Sequence, residues 1–357
     1  MPYLHAPLVR RVGPALLLAL LAGCSAQPPS GPAANLAACQ PLGDGSPDFS
    51  GGEDAAAAPG GLIVSFDDRR GGGRGSLRLL TDGAAGVALS DDLTGGVPAR
   101  FHPHGIGTVE TADGLWVMAV NHPDGWDGAS STVEVFQWSG GRLLHRRSVS
   151  LPGFQRLNDV LPVSAYAFYA TNESRAAHGA ARELLTYLLK RGDGSLLFHD
   201  GQATREVLGG FAFANSVERS GAETLAVSDS IKGQVLLLQG DIGSGRVHLA
   251  QTLDSGEGPD NLTRQADGNL LLARHDRLRE FAQHAAGKSA VSPWSLARIS
   301  PETGAVTTLV VSDGVEAPAV PVASMLPSGR VFLGSVFGRS YVCAAGALGM
   351  SKSTNTP

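Results

Sequence analysis

Short apolar runs recur from one end of the chain to the other. Gly, Asp, Asn or Pro usually separates one run from the next, at spacings of about 8–15 residues that are typical of β-strands joined by turns. Roughly twenty such runs exceed the capacity of one β-sandwich, whereas a propeller of four-stranded blades accommodates them without long exposed edges. The clearest runs lie at 62–65, 76–80, 115–120, 132–138, 166–171, 195–199, 224–228, 234–238, 247–253, 270–273, 306–311 and 331–334.

One segment departs from this pattern, because residues 180–191 carry leucines at a helical spacing. Leu184, Leu185, Leu188 and Leu189 fall on one face of a helix. Such a face is compatible with a lid or a membrane-facing helix, or with a helix whose leucines pack on the β-structure.

Composition agrees with an all-β domain. The chain has 357 residues, of which 47 are Gly, 21 are Pro and only 17% are charged. All-β folds of this length often form a single unit. The net charge of −5 provides no basic field, so we expect no nucleic-acid partner. A serine hydrolase of the α/β class is also disfavoured, because no Gly-x-Ser-x-Gly motif occurs.

The N-terminus has the features of an export signal. Two arginines precede an apolar run at 15–22 that is too short for a stable membrane span. The run ends in Leu-Ala-Gly-Cys, which resembles a bacterial lipobox. This motif predicts removal of residues 1–23 and lipidation of Cys24; an ordinary cleaved signal peptide is the alternative. Ser25 after the cysteine favours a lipid-anchored protein of the outer membrane, which contacts the membrane only through its anchor.

The remaining chain divides into three parts. Residues 24–38 contain Pro, Ala and Gly without charge and are expected to form a flexible tether. Residues 39–345 form the folded domain, and residues 346–357 form a C-terminal tail. Cys39 and Cys343 lie at opposite ends of the domain. In an oxidising compartment such a pair favours a disulfide, with two free buried thiols as the alternative.

Four short polar clusters stand against the apolar runs. They are Glu-Asp at 53–54, Asn-Asp at 158–159, Phe-Ala-Asn at 213–215 and Asp-Asn at 260–261. Any one cluster is more typical of a turn, because Asn and Asp side chains bond to nearby backbone. Carboxylate and amide oxygens are also the ligands of calcium, which takes six to eight of them. The order of all four clusters therefore predicts a metal site.

A series of short motifs accompanies these clusters between about residues 39 and 343. In their order they resemble the paraoxonase/arylesterase family of calcium-dependent lactonases. The resemblance implies a six-bladed β-propeller with four-stranded blades, two calcium ions in a central tunnel, and hydrolysis of lactones or aryl esters. In that family a disulfide ties the first strand to the last blade, a position that Cys39 and Cys343 match. The motifs lie at 103–106, 115–123, 131–136, 157–160, 168–172, 210–215, 260–262, 322–324 and 331–337.

The resemblance assigns ligands to both ions. Adjacent residues of a regular strand point to opposite sides, so the pairs at 53–54 and 158–159 could each give one ligand to either of two ions. Amide ligands keep the site near neutral, which suits calcium rather than a softer metal. The catalytic ion would be held by Glu53, Asn158, Asn215, Asp260 and Asn261, and the structural ion by Asp54, Asp159 and the main-chain carbonyl of Ile106.

The resemblance also implies the catalytic groups. His104, supported by His122, would activate water while calcium polarises the carbonyl; Asp260 or Glu53 is the alternative base or nucleophile. The chain departs from the family's pattern at two places. Ser216 follows the Phe-Ala-Asn motif where members commonly have Gly. Arg274 stands where many animal members have Cys.

Two other functions are compatible with this fold. One is a gluconolactonase-like sugar lactonase with one divalent ion, although the pairs at 53–54 and 158–159 favour two ions. The other is a non-catalytic propeller that serves as a binding scaffold on the cell envelope. Under the leading hypothesis the partner is a small molecule, with acyl-homoserine lactones, other aliphatic lactones, aryl esters and phosphotriesters all compatible with the residues.

Overall fold

The strands form six sheets arranged as the six blades of a β-propeller. The computed structural model describes residues 29–83, 86–125, 130–175 and 180–350. The predicted fold is confirmed. Four sheets have four strands, as expected, and two have five, because one short strand joins the edge of blade 2 and one strand of the last blade joins blade 1.

The elements follow one another blade by blade. The chain enters through β1 (Cys39–Pro41), which belongs to blade 6. Blade 1 contains β2 (Ser50–Ala58), β3 (Gly61–Phe66), β4 (Ser76–Gly83) and β5 (Gly86–Leu89). Blade 2 contains β6 (Thr94–Gly95), β7 (Pro103–Thr111), β8 (Gly114–Asn121), β9 (Thr132–Ser139) and β10 (Arg142–Ser150). Blade 3 contains β11 (Leu157–Pro162), β12 (Phe168–Asn172), helix α1 (Ala180–Leu189), β13 (Gly194–His199) and β14 (Thr204–Phe211).

The second half of the ring repeats this arrangement. Blade 4 contains β15 (Ala214–Arg219), β16 (Thr224–Asp229), β17 (Gln234–Asp241) and β18 (Arg246–Asp254). Blade 5 contains β19 (Pro259–Arg264), β20 (Leu270–His275), helix α2 (Leu278–Ala285), β21 (Trp294–Ile299) and β22 (Val306–Ser312). Blade 6 contains β23 (Ala323–Met325), β24 (Arg330–Leu333) and β26 (Tyr341–Ala344) together with β1, whereas β25 (Ser335–Arg339) lies in the sheet of blade 1.

Each pair of neighbouring blades shares its own apolar core. Between blades 2 and 3, for example, Met118 and Val135 pack with Phe168 and Leu197. The six clusters of buried apolar residues correspond to the six interfaces around the ring. Full burial of one such side chain contributes about 1.5–3 kcal/mol. The ring is therefore held by contacts between blades as well as by hydrogen bonds within them.

Two strand exchanges close the ring. β1 pairs antiparallel with β26, which places Cys39 opposite Cys343, and the two form a disulfide across 304 residues of sequence. In the opposite direction β25 pairs with β2, with Ser335 beside Gly52. The expected disulfide is confirmed, and it joins the first strand of the domain to the last blade.

Part of the expected tether lies along blade 5. Val311 of β22 exchanges main-chain hydrogen bonds with Pro32 and Ala34, at 2.9 and 2.8 Å, and Asn35 donates to the carbonyl of Ala347 at 3.1 Å. The signal segment, Cys24 and the last seven residues lie outside the described part of the chain. Within the described ranges, no helix is long and apolar enough to cross a membrane.

Both helices lie at the end of the ring where β12 and β20 finish. The predicted helix is confirmed as α1, and Leu185, Leu188 and Leu189 on it are 55%, 49% and 61% exposed. These leucines therefore do not pack on the propeller. The hydroxyl of Tyr187 donates to Oε1 of Glu257 at 3.3 Å, so α1 reaches from blade 3 to the segment that enters blade 5.

Candidate active site

The site residues expected from the sequence meet at one end of the ring. They lie near the beginning of the first long strand in five successive blades, and all are buried. These strands contact one another around the central axis. The residues are Glu53 and Asp54 on β2, His104 and Ile106 on β7, Asn158 and Asp159 on β11, Asn215 on β15, and Asp260 and Asn261 on β19.

A β-bulge or irregularity interrupts the pairing of each of these strands at the site residues. The register shifts next to Glu53, His104, Asn158, Asn215 and Asp260. A bulge leaves residues without their ladder partners and redirects side chains, which is why bulges are frequent beside active sites. The side chains at 53–54 and 158–159 were expected to point to opposite sides of a regular strand. This alternation does not hold here, because two residues of a bulge face one residue of the neighbouring strand.

Three hydroxyl groups accept the main-chain N–H groups that the bulges release. Ser65 accepts from Asp54 at 3.1 Å, Thr171 from Asp159 at 2.9 Å, and Ser228 from Ser216 at 2.9 Å. Two of these hydroxyls also donate to the next blade. They are Thr171, which donates to the carbonyl of Asn215, and Ser228, which donates to the carbonyl of Asp260. These residues were not predicted to belong to the site, although each is a hydroxyl residue near the end of an apolar run.

Two buried aspartates join neighbouring blades. Asp54 accepts the main-chain N–H of Ile106 at 2.8 Å. Oδ2 of Asp159 accepts the N–H of Val217 at 2.8 Å and the hydroxyl of Ser216 at 2.9 Å. Burial and the negative charge of Asp159 raise the pKa of Asp54 well above its ordinary value, and burial raises the pKa of Asp159 to about 6. A cation between the two would favour their ionised forms.

Three amide side chains have their NH₂ groups fixed. Each donates to a buried acceptor, which leaves the amide oxygen for another partner. Oδ1 of Asn215 is buried without a hydrogen-bond donor in the described part of the chain. The donations run from Asn158 to Glu173 at 3.0 Å, from Asn215 to the hydroxyl of Ser230 at 3.1 Å, and from Asn261 to the main-chain carbonyl of Glu53 at 2.9 Å.

These oxygens fit the donor set of calcium. Carboxylates and amide carbonyls are hard ligands, and an orphaned buried amide oxygen such as that of Asn215 is the kind of acceptor a cation satisfies. No cluster of three or more His, Cys, Asp or Glu in the described residues is arranged to bind a metal by itself. The fit therefore depends on the combination of carboxylates with amides.

Glu53 lies between the side chains of Arg69 and His104. Its Oε2 lies 3.3 Å from Nη2 of Arg69, and its Oε1 lies 3.1 Å from Nε2 of His104. Burial alone would raise the pKa of Glu53, but the positive charges of Arg69 and His104 lower it to about 2. Glu53 is therefore ionised in the folded protein. Arg69 was missed by the sequence analysis, because its loop, residues 67–75, carries no strand or helix periodicity.

The two histidines lie side by side. Their ring centroids are 5.4 Å apart and the ring planes are nearly perpendicular. Nδ1 of His104 lies 2.6 Å from the main-chain carbonyl of Asn158, an acceptor, so Nδ1 carries the proton. Burial lowers the pKa of His122 well below its ordinary value, and positive charge at His104 and Arg69 lowers it further. His122 is therefore neutral in the folded protein.

Asp260 faces a third histidine that the sequence analysis missed. Nε2 of His275 lies 2.7 Å from Oδ2 of Asp260, and the ring of Phe281 from α2 stacks on His275 at a centroid distance of 4.0 Å. His275 lies at the end of the apolar run 270–273 and directly follows Arg274. Nothing in the sequence around it indicates that it belongs to the site.

The two departures from the family's pattern have structural roles. The hydroxyl of Ser216 donates to Asp159 and accepts the N–H of Leu262 at 3.1 Å, so it links blades 3, 4 and 5. The buried guanidinium of Arg274 donates to Ser295 and Thr308 within blade 5 and to the carbonyl of Ser255 in the segment that precedes it.

Known proteins resemble this chain in sequence and in fold. The chain is similar to serum paraoxonase/arylesterase 1 of Mus musculus, with 24% identity over 314 residues that cover 82% of this chain and 86% of the relative. Its fold is similar to that of a gluconolactonase from Xanthomonas campestris, with a TM-score of 0.50, 14% identity, and coverage of 89% and 95%. It is also similar to a calcium-binding regucalcin from Agrobacterium tumefaciens, with a TM-score of 0.50, 14% identity, and coverage of 84% and 90%.

A family assignment follows from a match over most of the chain. The sequence model of the family described as Arylesterase matches residues 80–345, which include every strand from blade 2 to blade 6 except β1. The match therefore spans the histidine pair and the clusters at 158–159, 213–215 and 260–261. The chain belongs to the paraoxonase/arylesterase family.

Proposed function

We propose that this protein is a calcium-dependent hydrolase of lactones and aryl esters. Membership of the paraoxonase/arylesterase family supports hydrolysis of carboxylic esters. The observation that carries the proposal is the convergence of His104 with oxygen donors from five blades at one end of the ring. This arrangement combines a group that can move a proton with a set of hard ligands.

Two groups of residues would hold two calcium ions. The amide oxygens, with Glu53 and Asp260, would hold the catalytic ion. Asp54, Asp159 and the carbonyl of Ile106 would hold the structural ion, which agrees with the position of both aspartates between blades. Calcium at the first group would polarise the substrate carbonyl and stabilise negative charge on its oxygen.

His104 is the proposed general base. The carbonyl of Asn158 fixes a proton on Nδ1, so Nε2 is the nitrogen that would take a proton from water. In this structure Nε2 lies 3.1 Å from Oε1 of Glu53, so this contact would have to be released first. The neutral ring of His122 contacts His104 edge to face and keeps its orientation. Asp260 and Glu53 are the alternative bases; Asp260 pairs with His275, and Glu53 lies beside both Arg69 and His104.

A panel of substrates tests the proposal. The purified domain is assayed with γ- and δ-lactones, an acyl-homoserine lactone, glucono-δ-lactone and phenyl acetate, in calcium and in excess chelator. Hydrolysis of several lactones or esters that chelation abolishes supports the proposal. Hydrolysis of glucono-δ-lactone alone favours a sugar lactonase, and a calcium-binding protein without hydrolysis favours a binding scaffold. Activity that persists in chelator with the fold intact contradicts the calcium mechanism.

We also propose that Cys24 carries a lipid and anchors the enzyme at the cell envelope, on the outer membrane. The lipobox supports this location. The first main-chain contacts of the described segment are those of Pro32 and Ala34 with Val311. Only a few residues then separate Cys24 from the propeller, so the domain would stay close to the membrane surface.

A further inference from the structure

The loop between β3 and β4 places a guanidinium inside the site. Arg69 lies on this loop, where its main-chain N–H donates to the carbonyl of Asp67 at 2.9 Å and closes a tight turn. Its side chain is 8% exposed, and its Nη2 lies 3.3 Å from Oε2 of Glu53, whose side chain is 6% exposed. Because both groups are buried, salt and solvent screen their attraction much less than at the surface.

Glu53 differs in this respect from the other expected ligands. Its Oε2 faces the guanidinium of Arg69, and its Oε1 lies beside Nε2 of His104. The amide of Asn215, in contrast, presents a buried oxygen without a donor. The negative charge of Glu53 is therefore already balanced by Arg69, while the amide oxygen of Asn215 has no hydrogen-bond donor in the described residues.

We infer that Arg69 competes with calcium for the carboxylate of Glu53 and thereby sets the calcium concentration at which the site fills. The inference rests on the proposed function, in which Glu53 is a calcium ligand. A guanidinium and a calcium ion attract the same oxygens and repel each other. Calcium must therefore share Glu53 with Arg69 or displace it, and either outcome weakens the binding of the ion.

The size of the effect follows from the distance. A charge within about 4–6 Å changes the proton affinity of a carboxylate by about one to three pKa units, each a factor of ten. Calcium uses the same oxygens, so Arg69→Gln should lower the Kd for calcium by at least about tenfold. Arg69→Lys keeps the charge and should remain within about threefold of the wild type.

The experiment measures calcium binding rather than turnover. Calcium is titrated by calorimetry into the full domain after removal of bound ions, and melting temperatures are recorded in buffers of defined free calcium concentration. Arg74→Gln is the matched control, because Arg74 lies on the same loop, carries the same charge and pairs with Asp92 at a partly exposed position. Its Kd should equal that of the wild type.

Arg69→Gln should also differ from the wild type in thermal stability, which is an independent measurement. Without calcium, Arg69→Gln should melt below the wild type, because Glu53 loses its buried partner. With calcium it should recover more stability than the wild type does. If the variant does not fold in chelator, the free calcium concentration at which it regains its fold gives the affinity directly.

The outcomes separate this inference from the proposed function. A calcium curve of Arg69→Gln that coincides with the wild type, or lies at higher concentration, overturns the inference and leaves the calcium mechanism intact. A wild-type protein that binds no calcium in either measurement overturns the proposed calcium dependence and the inference with it.

Discussion

Asp159 on blade 3 accepts the main-chain N–H of Val217 on blade 4 at 2.8 Å, so one buried carboxylate joins two blades at the site. The same side chain also accepts the hydroxyl of Ser216 and the N–H of Val160. Removing it leaves three buried donors without their acceptor. Each unsatisfied buried group costs about 1–3 kcal/mol.

Asp159→Ala is therefore expected to destabilise the protein by about 3 kcal/mol or more, both in chelator and in calcium. Thermal melts check the prediction, and Asp113→Ala, at an exposed turn, is the control. A variant that melts at the wild-type temperature and loses only activity would contradict a structural role for Asp159.

The pH dependence of stability in chelator should carry the signature of Asp159. Its folded pKa of about 6 lies above the ordinary aspartate pKa of 3.8, so the folded state binds more protons than the unfolded state between these pH values. The stability from this group is complete below pH 4 and is lost as the pH rises through 6. The loss amounts to about 3 kcal/mol.

Asp159→Asn isolates this contribution, because the amide does not titrate. In chelator, the variant should melt below the wild type near pH 4, since its NH₂ group cannot accept the hydrogen bonds of the oxygen that it replaces. The difference from the wild type should become smaller or change sign as the pH rises to 8. In calcium this gain at pH 8 should disappear, since the ion favours the carboxylate. A difference between the two proteins that does not change with pH would refute the assignment.

The bulges explain how much of the site the sequence could predict. The sequence identifies the site through the carboxylate and amide residues at 53–54, 158–159 and 260–261. These hard oxygen ligands stand in a fixed order next to apolar strands, which is uncommon elsewhere in the chain. The bulge at each position depends on pairing with the neighbouring strand, and the sequence contains no local signal for it. Adjacent ligands were assumed to alternate across a regular strand, which the structure does not have.

The fold was predictable for a different reason. Apolar runs with turn residues between them specify many short strands, and the family's motifs supply the number of blades. The partners of the ligands were not predictable. Arg69 and His275 reach the site from loop and strand-end positions with no periodic pattern, and Glu173 reaches Asn158 only because β11 and β12 pair.

Thr171→Val tests whether the hydroxyl groups at the bulges hold the site together. The substitution keeps the shape of the side chain but removes the acceptor of the Asp159 N–H and the donor to the Asn215 carbonyl. Two buried groups lose their partner, so the free energy of unfolding should fall by about 2–4 kcal/mol. Calcium affinity should fall as well, because both residues are proposed ligands.

Thr307→Val is the matched control, since Thr307 is exposed on an outer strand. It should change neither melting temperature nor calcium affinity. Equal behaviour of the two valine variants would show that the hydroxyl of Thr171 has no special role.

The lipid anchor is tested by Cys24→Ser. The variant should move from the membrane fraction to the soluble fraction of cells, because the thiol that receives the lipid is absent. Its hydrolytic activity should remain, since the propeller is unchanged. Cys24→Ser protein that stays with membranes, together with a wild-type N-terminus that carries no lipid mass, would exclude the anchor.

His104→Gln should separate catalysis from calcium binding. Removing a general base lowers turnover by about 10²–10⁴-fold, whereas Gln can still donate to the carbonyl of Asn158 and occupy similar space. His122→Gln should reduce turnover less, because His122 contacts His104 and has no proposed contact with substrate.

Turnover of a δ-lactone is followed with a pH indicator, and melts with and without calcium provide the control for folding. Calcium should stabilise His104→Gln as it stabilises the wild type. A fully active His104→Gln enzyme would transfer the role of base to Asp260 or Glu53, and the release of these carboxylates from His275 and Arg69 would then become a required step before water can be activated.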